Sequence, residues 1–329
     1  MIISQTPLRI SLCGGGTDFK KYYSKEEGFV VSTAIDKYLY VIVKERFDDL
    51  IYVDYSEKEI VNQISEIRHE LVREAALKTG MSPGFEVSML ADIPSEGSGL
   101  GSSSSLTVGL LNVFYHYLGI QVTSEQLARE ACEIEIDILK KPIGKQDQYI
   151  AAYGGLTSFK FNKDSTVDVE KIKLSTEIKR RLGSNLLLFF TNITRKSASI
   201  LTEQNNKIDD SIVYYNSIKD LAIKARNSLN DKDIDIIGEI LNKNWEIKKN
   251  LTSNITNDTI NEMYSKALAG GAEGGKIAGA GGGGFLLLYC KRNNQDELRE
   301  NLKEYREMPF LFEPHGSKII FDYRRYSWK

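Results

Sequence analysis

The stretch 92–118 constrains this chain most. It reads Asp-Ile-Pro-Ser-Glu-Gly-Ser-Gly-Leu-Gly-Ser-Ser-Ser-Ser and then runs apolar from Leu106 to Leu118. Gly97, Gly99 and Gly101 alternate with Ser98 and Leu100, so the backbone can turn tightly and lie against a ligand with no Cβ between. Ser102, Ser103, Ser104 and Ser105 follow, and hydroxyl residues favour a helix start. Leu106, Leu110, Val113, Phe114 and Tyr117 then recur at helical spacing. A glycine loop thus feeds a helix N-terminus, where unpaired amides and the positive dipole end converge and suit a phosphate. The bland alternative is a Gly/Ser linker ahead of a core helix. Pro94, which stiffens the entry, and the strength of the helix start argue against it. Two familiar phosphate loops are excluded. A Walker A loop needs a Lys that is missing here, and the third glycine is misplaced for a dinucleotide fingerprint.

The rest of the chain leaves room for such a site. Its 329 residues suggest about two domains, and 41% hydrophobic with 27% charged residues is an ordinary globular balance. A net charge of -2, with no basic arm, gives no reason to expect nucleic acid or a membrane as partner. Cys13, Cys132 and Cys290 are far apart among apolar neighbours, which reads as reduced, buried thiols in a cytoplasmic protein. Met1-Ile2-Ile3-Ser4 lacks the charged start and apolar core of a signal peptide, and no apolar run reaches membrane-spanning length.

In chain order, residues 2–12 read as a strand with Pro7 at a bend or edge. The strand runs into Cys13-Gly14-Gly15-Gly16-Thr17-Asp18, where Asp18 is either functional or a helix N-cap. Residues 29–35, 38–47 and 51–55 are β-rich, 59–78 form an amphipathic helix, and 85–90 a short strand. Thr123 with Gln126 makes a capping box for a helix to about Leu139, stopped by Lys141-Pro142-Ile143-Gly144. A short element starts at Gly144 and a strand covers 155–161. The charged span 162–183 marks the crossing between a domain of residues 1–175 and one of 176–329. The second half opens with a strand at 186–190, followed by helical patterns over 197–229, 233–251 and 256–269. A second glycine tract, 270–284, precedes a strand at 285–290, a helix near 295–305 and a strand near 318–321. Within that tract Gly270 to Lys276 imitates Walker A, and Gly279-x-Gly281-x-x-Gly284 imitates the dinucleotide fingerprint. The first lacks the hydroxyl and the second feeds a strand instead of a helix. A tight turn pressed against another loop or a ligand is the better reading. The mixture predicts an α+β chain.

Three separated pieces resemble the three motifs of the GHMP small-molecule kinases. They are Pro7-x-Arg9 through Gly14-x-x-Thr17-Asp18, the loop from Pro94 to Ser104, and Gly279-Ala280-Gly281-Gly282-Gly283. The resemblance implies an N-terminal domain like ribosomal protein S5 domain 2, a ferredoxin-like C-terminal domain, and an active site between them. Glu135, Pro142, Gly144, Asp147 and Gln148 also match the spacing of the galactokinase catalytic region. By that likeness Asp147 is the catalytic base with Arg9 beside it, and Glu135 with Ser103 holds Mg2+. Gly97, Gly99, Leu100, Gly101, Ser102, Ser103 and Ser104 then take the nucleotide, with ATP as donor and GTP left open. Gly14, Gly15, Gly16, Thr17, Asp18, Gly281 and Gly282 take the sugar. Without the family, Glu135 reads as a solvated helix face and Asp147 as a cap.

One departure narrows the substrate. Galactokinases carry Glu-His where this chain has Gly15-Gly16, while the following Asp is kept as Asp18. The Gly-Gly-Gly-Thr-Asp form resembles the branch of the family that phosphorylates heptose 7-phosphates, as do 191–201, Trp245 with Lys248, and Gly274-Gly275-Lys276-Ile277. That likeness implies a sugar-1-kinase forming a heptose 1,7-bisphosphate. The alternatives are a kinase for fucose or an unphosphorylated hexose, and a sensor that binds without turnover. A substrate phosphate needs a cation, for which Arg195 is the first choice. Lys248 and Lys276 come second, because either is expected to pair with a carboxylate between the domains.

Overall fold

The structure is a computed structural model, and its description covers residues 1–93, 97–194 and 197–323. The expected first strand forms as β1 (Ile2–Cys13) beside one long strand, β2 (Gly28–Glu45), where the sequence suggested two. A register shift between Pro7 and Leu8 accounts for this. Pro7 pairs with Tyr38 and Leu8 with Ile35, so β2 bulges at Asp36 and Lys37 without ending. The bulge also shifts the alternation of β1. Before it, Ser4 donates a hydrogen bond to Gly109 O on the helix Ser102–Tyr117. After it, Leu8, Ile10 and Leu12 enter a core shared with the second half, and Arg9 and Ser11 face a cleft.

The first sheet continues with β3 (Ile51–Asp54), β4 (Lys58–Val61), β5 (Phe85–Ala91), β6 (Leu156–Phe161) and β7 (Val167–Lys171). Strand β2 pairs with β5 along one half and β6 along the other. β4 corrects the helix expected over 59–78, which begins only at Glu70 and ends at Thr79. Glu59 is the reason: buried at 4% exposure, its carboxylate accepts the N–H groups of Arg68 and His69 and holds the chain off the helical path. Thr123 caps the helix Ser124–Cys132, but Gln126 turns its side chain to Glu130, so no reciprocal box forms. The span 162–183 contains β7 and the start of the helix Thr176–Asn185.

The second sheet has three antiparallel strands, β8 (Leu186–Phe190), β9 (Gly274–Ile277) and β10 (Phe285–Tyr289), in the order β8-β10-β9. β9 lies inside what read as a glycine loop. The pattern over 197–229 is two helices, Ser197–Asn206 and Ile212–Asn230, and Ile237–Lys248 and Asp258–Ala269 follow. Residues of Ile212–Asn230 and Ile237–Lys248 fill the core between the two sheets. The helix Ser102–Tyr117 is buried over most of its surface, because nearly every residue from Ser104 to Tyr115 is apolar or small. The last strand, β11 (Lys318–Asp322), does not stay with the second sheet; it pairs with β1 in the first.

Candidate active site

Gly97, Gly99 and Gly101 all adopt positive φ, at 74°, 71° and 81°. Gly101 is the left-handed N-cap of the helix Ser102–Tyr117, and no side chain caps that end. The first helical bond runs from Ser105 N to Gly101 O, so the N–H groups of Ser102, Ser103 and Ser104 lie ahead of it at the mouth of the cleft. Leu100 is an anchor: its side chain is fully buried and its carbonyl accepts Arg9 N at 3.0 Å. Ser102 and Ser103 line the cleft, while Ser104 is buried behind them.

The second glycine loop closes against the first, backbone to backbone. A Cβ on Gly99 would lie 2.3 Å from Ala278 O, and one on Gly279 2.6 Å from Gly99 O. Of the two glycines expected at the sugar, Gly281 lines the cleft, whereas Gly282 donates its N–H to Ile255 O at 2.7 Å.

Arg9 and Asp147 meet between these loops. Arg9 Nε and Nη2 each donate to one carboxylate oxygen of Asp147 at 2.7 Å, and Nη1 donates to Gly99 O at 2.6 Å. This fork ties the carboxylate to the glycine loop in a fixed geometry. Asp147 sits in the first turn of the helix Gln146–Tyr153, whose N-cap residue Lys145 offers no capping side chain. Asp18 supplies the cap from across the chain, accepting Gln146 N at 3.1 Å and Gly16 N at 2.8 Å. Burial raises the Asp18 carboxyl above its ordinary range, and those two N–H groups oppose the rise. Gly144 fits here because a Cβ would fall 2.0 Å from Asp18 Oδ2. Gly15, Gly16 and Asp18 line the cleft, whereas Gly14 and Thr17 shape the turn: the Thr17 hydroxyl donates to the carbonyls of Gly14 and Phe29.

Glu135 is not on a solvated face. It is fully buried in a π-helical turn, Glu133–Ile138, an irregularity frequent at functional sites. Ser103 Oγ donates to its Oε1 at 2.5 Å and Gln148 Nε2 to its Oε2 at 2.7 Å. Lys141 Nζ lies 3.3 Å from Ser103 Oγ and 3.8 Å from Glu135 Oε1. Burial pushes the Glu135 carboxyl up, and Lys141 and the Ser103, Ser104 and Gln148 side chains pull it back. Among the described residues no group of three or more His, Cys, Asp or Glu side chains is placed to hold a metal ion.

The two lysines differ from expectation. Neither pairs with a carboxylate among the described residues; Lys276 Nζ donates to Ser11 O at 2.8 Å and Lys248 Nζ to Gly279 O. Both are buried and both line the cleft. Burial, then the neighbouring Lys276 and Arg9, lower Lys248 well below the usual lysine range, and burial pushes Lys276 down to about 8. Arg195 and Pro94 lie outside the described residues. Ser11 was missed by sequence reasoning; a hydroxyl inside an apolar strand was its only signal.

Comparison with known proteins places the chain in a family. Residues 62–155 match the GHMP kinases N terminal domain and 222–307 the GHMP kinases C terminal domain. A D-glycero-alpha-D-manno-heptose 7-phosphate kinase of Campylobacter jejuni is 32% identical over 96% of this chain and 98% of its own length. A bifunctional fucokinase/GDP-fucose pyrophosphorylase of Arabidopsis thaliana is 25% identical over 98% of this chain but 32% of that protein. The crystal structure of a D-glycero-D-manno-heptose 1-phosphate kinase from Bacteroides thetaiotaomicron superimposes with a TM-score of 0.82 at 26% identity, covering 99% of this chain and 100% of the other. No helix among the described residues is long and apolar enough to cross a membrane. The chain belongs to the GHMP kinase family and is an ATP-dependent sugar kinase.

Proposed function

We propose that the enzyme transfers the terminal phosphoryl group of ATP to the anomeric hydroxyl of D-glycero-D-manno-heptose 7-phosphate, giving the 1,7-bisphosphate. The observation that carries this reading is Asp147, fixed by Arg9 to the very loop whose open amides face the cleft. Phosphoryl transfer is mostly positioning and charge stabilisation. The carboxylate that receives or orients the sugar proton is therefore held at a set distance from the nucleotide phosphates. Each Asp147 oxygen uses one lone pair on Arg9 and keeps another for the hydroxyl. Gly97, Gly99, Gly101 and the amides of Ser102, Ser103 and Ser104 hold the phosphates. Gly15, Gly16, Asp18 and Gly281 bound the sugar. Residues 1–175 carry the loop and the base, and 176–329 supply the far wall.

The residues fit a magnesium ion. Ser103 faces the cleft with Glu135 directly behind it, and the pair already draws the ammonium of Lys141 toward it. Ser103 Oγ and Glu135 are hard oxygen donors of the kind magnesium takes, with water and phosphate oxygens completing the set. When bound, the ion neutralises charge on the phosphate oxygens.

The name of the Campylobacter relative supports the heptose 7-phosphate. The fucokinase likeness favours a second reading, a 1-kinase for fucose or a hexose. One experiment separates them: transfer from labelled ATP to heptose 7-phosphate, heptose 1-phosphate, free heptose, fucose and galactose, with phosphorus NMR locating the new ester. Preference for heptose 7-phosphate with a product ester at C1 is expected. Preference for fucose or a free hexose moves the function to the second reading, and a product ester elsewhere than C1 rejects the proposed regiochemistry.

A further inference from the structure

The cleft carries more donors than the phosphate loop and Asp147 employ. Lys248 and Lys276 are 5% and 2% exposed, and each ammonium is held by one backbone carbonyl, leaving two of its three donors. Ser11 is 2% exposed, and its hydroxyl has no hydrogen-bond partner. All three line the same cleft. A buried polar group without a partner is costly, and more so if it is charged. Three together at one wall describe a site made for something that accepts hydrogen bonds and carries negative charge. Two ammonium groups match a dianion, and no carboxylate among the described residues lies within ion-pair distance of either.

We propose that Ser11, Lys248 and Lys276 form a binding site for a phosphate monoester. On the function proposed above, it holds the phosphate that the sugar brings, not the one it receives.

Position separates the two phosphates. The transferred group belongs at the amides of Ser102 to Ser104, beside Asp147 and Arg9. Arg9 and Ser11 are both on the cleft side of β1, two residues apart, so their side chains are about 7 Å from one another along the strand. That spacing is suited to a sugar whose anomeric hydroxyl lies at Asp147 and whose distal ester lies at Ser11. Gly15 opens the path between them: a Cβ there would come 3.5 Å from Ser11 Oγ and 3.3 Å from Gln146 Nε2. A carboxylate at this position would repel the ester. An anion bound against the lysines would also favour their charged forms, reversing the effect of burial.

The test measures kcat/KM for heptose 7-phosphate and for heptose without the ester, and calorimetric affinity for ATP. It uses the wild-type enzyme, Lys276→Met, Lys248→Met and Ser11→Ala. Each lysine variant should lower kcat/KM for the phosphorylated sugar by about 10- to 100-fold, the size of a lost hydrogen bond to a charged group, and so close the gap between the two sugars. Ser11→Ala should close part of the gap, and ATP affinity should hold. Ser11→Ala removes a single buried oxygen and carries the test alone if a lysine variant does not fold. A wild-type preference that survives in the variants overturns this site and leaves the proposed function standing. Loss of ATP binding in the lysine variants assigns them to the transferred group and overturns it too. Equal use of both sugars by the wild type removes the proposed function and this site with it.

Discussion

The two glycine loops are alike in composition and opposite in use. The loop at 97–101 ends in a helix, so its amides emerge without partners at the cleft. The loop at 278–284 ends in β10, and part of its backbone is already paired: Ala278 N with Phe285 O, Gly282 N with Ile255 O, Gly284 N with Ile193 O, and the Gly279 and Ala280 carbonyls with Lys248 Nζ and Gln204 Nε2. On the proposed function the first is a cradle for phosphate, and the second is a wall thin enough to touch it. The element after a glycine run therefore bears on its role as much as the run itself, because a helix start leaves its first donors over and a strand start pairs the residues next to it.

The contrast can be tested at decreasing stakes. The largest effect belongs to the group the first loop presses upon. Asp147→Asn keeps the shape, removes the base, and should lower kcat by about 10²–10⁴. The anomeric hydroxyl is more acidic than an ordinary one, which places the loss toward the lower end. Turnover near that of the wild type would remove Asp147 from the role. Next is Gly101→Val, which adds bulk 3.2 Å from Arg9 Cγ and 3.4 Å from Asp147 Oδ2 at a positive φ. Loss of one or two charge-assisted amide bonds should weaken ATP by about 10- to 100-fold or more in calorimetry. Normal ATP affinity in this variant would end the description of the first loop as a cradle.

A smaller effect separates metal from sugar. Glu135→Gln should raise the magnesium needed for half-maximal rate by about tenfold with sugar KM little changed, in line with other ligand-shell losses. Asp18→Ala should do the reverse. Equal shifts of both magnesium titrations would collapse the distinction. Smallest is Gly279→Ala in the second loop. Its Cβ meets Gly99 O, and its φ is 91°, so it should cost about 1–3 kcal/mol of stability, read as a lower Tm. The folded protein should still bind ATP. If ATP affinity collapsed while the Tm held, the second loop would be part of the nucleotide site as well.

Much of this was legible from the residues. The glycine-to-helix passage at 97–117 needed only local rules, whereas Glu135, Gly144 and Asp147 came together only through the likeness to the galactokinase catalytic region, since by themselves Glu135 read as a solvated face and Asp147 as a cap. What escaped depended on contacts far along the chain. Glu59 falls in step with a helical pattern, and only its bonds to Arg68 and His69 reveal a strand and a turn. Asp18 looked like a cap for its own segment but caps a helix more than a hundred residues later. The π-helical turn at Glu135 changes the helix register without a mark in composition. Gly274 and Gly275 carry no side-chain alternation, so β9 read as loop, and with it the inward aim of Lys276 was hidden.

The return of the last strand has a mechanical consequence. Because β11 lies beside β1, and Ile35 bridges to Phe312 just before it, the polypeptide crosses between the two sheets once on the way out and again on the way back. A body joined by a single strap is held at one place; one joined by two is held at both. Two straps over one shared core make the chain a clasp, with Gly279 set against Gly99 at its mouth.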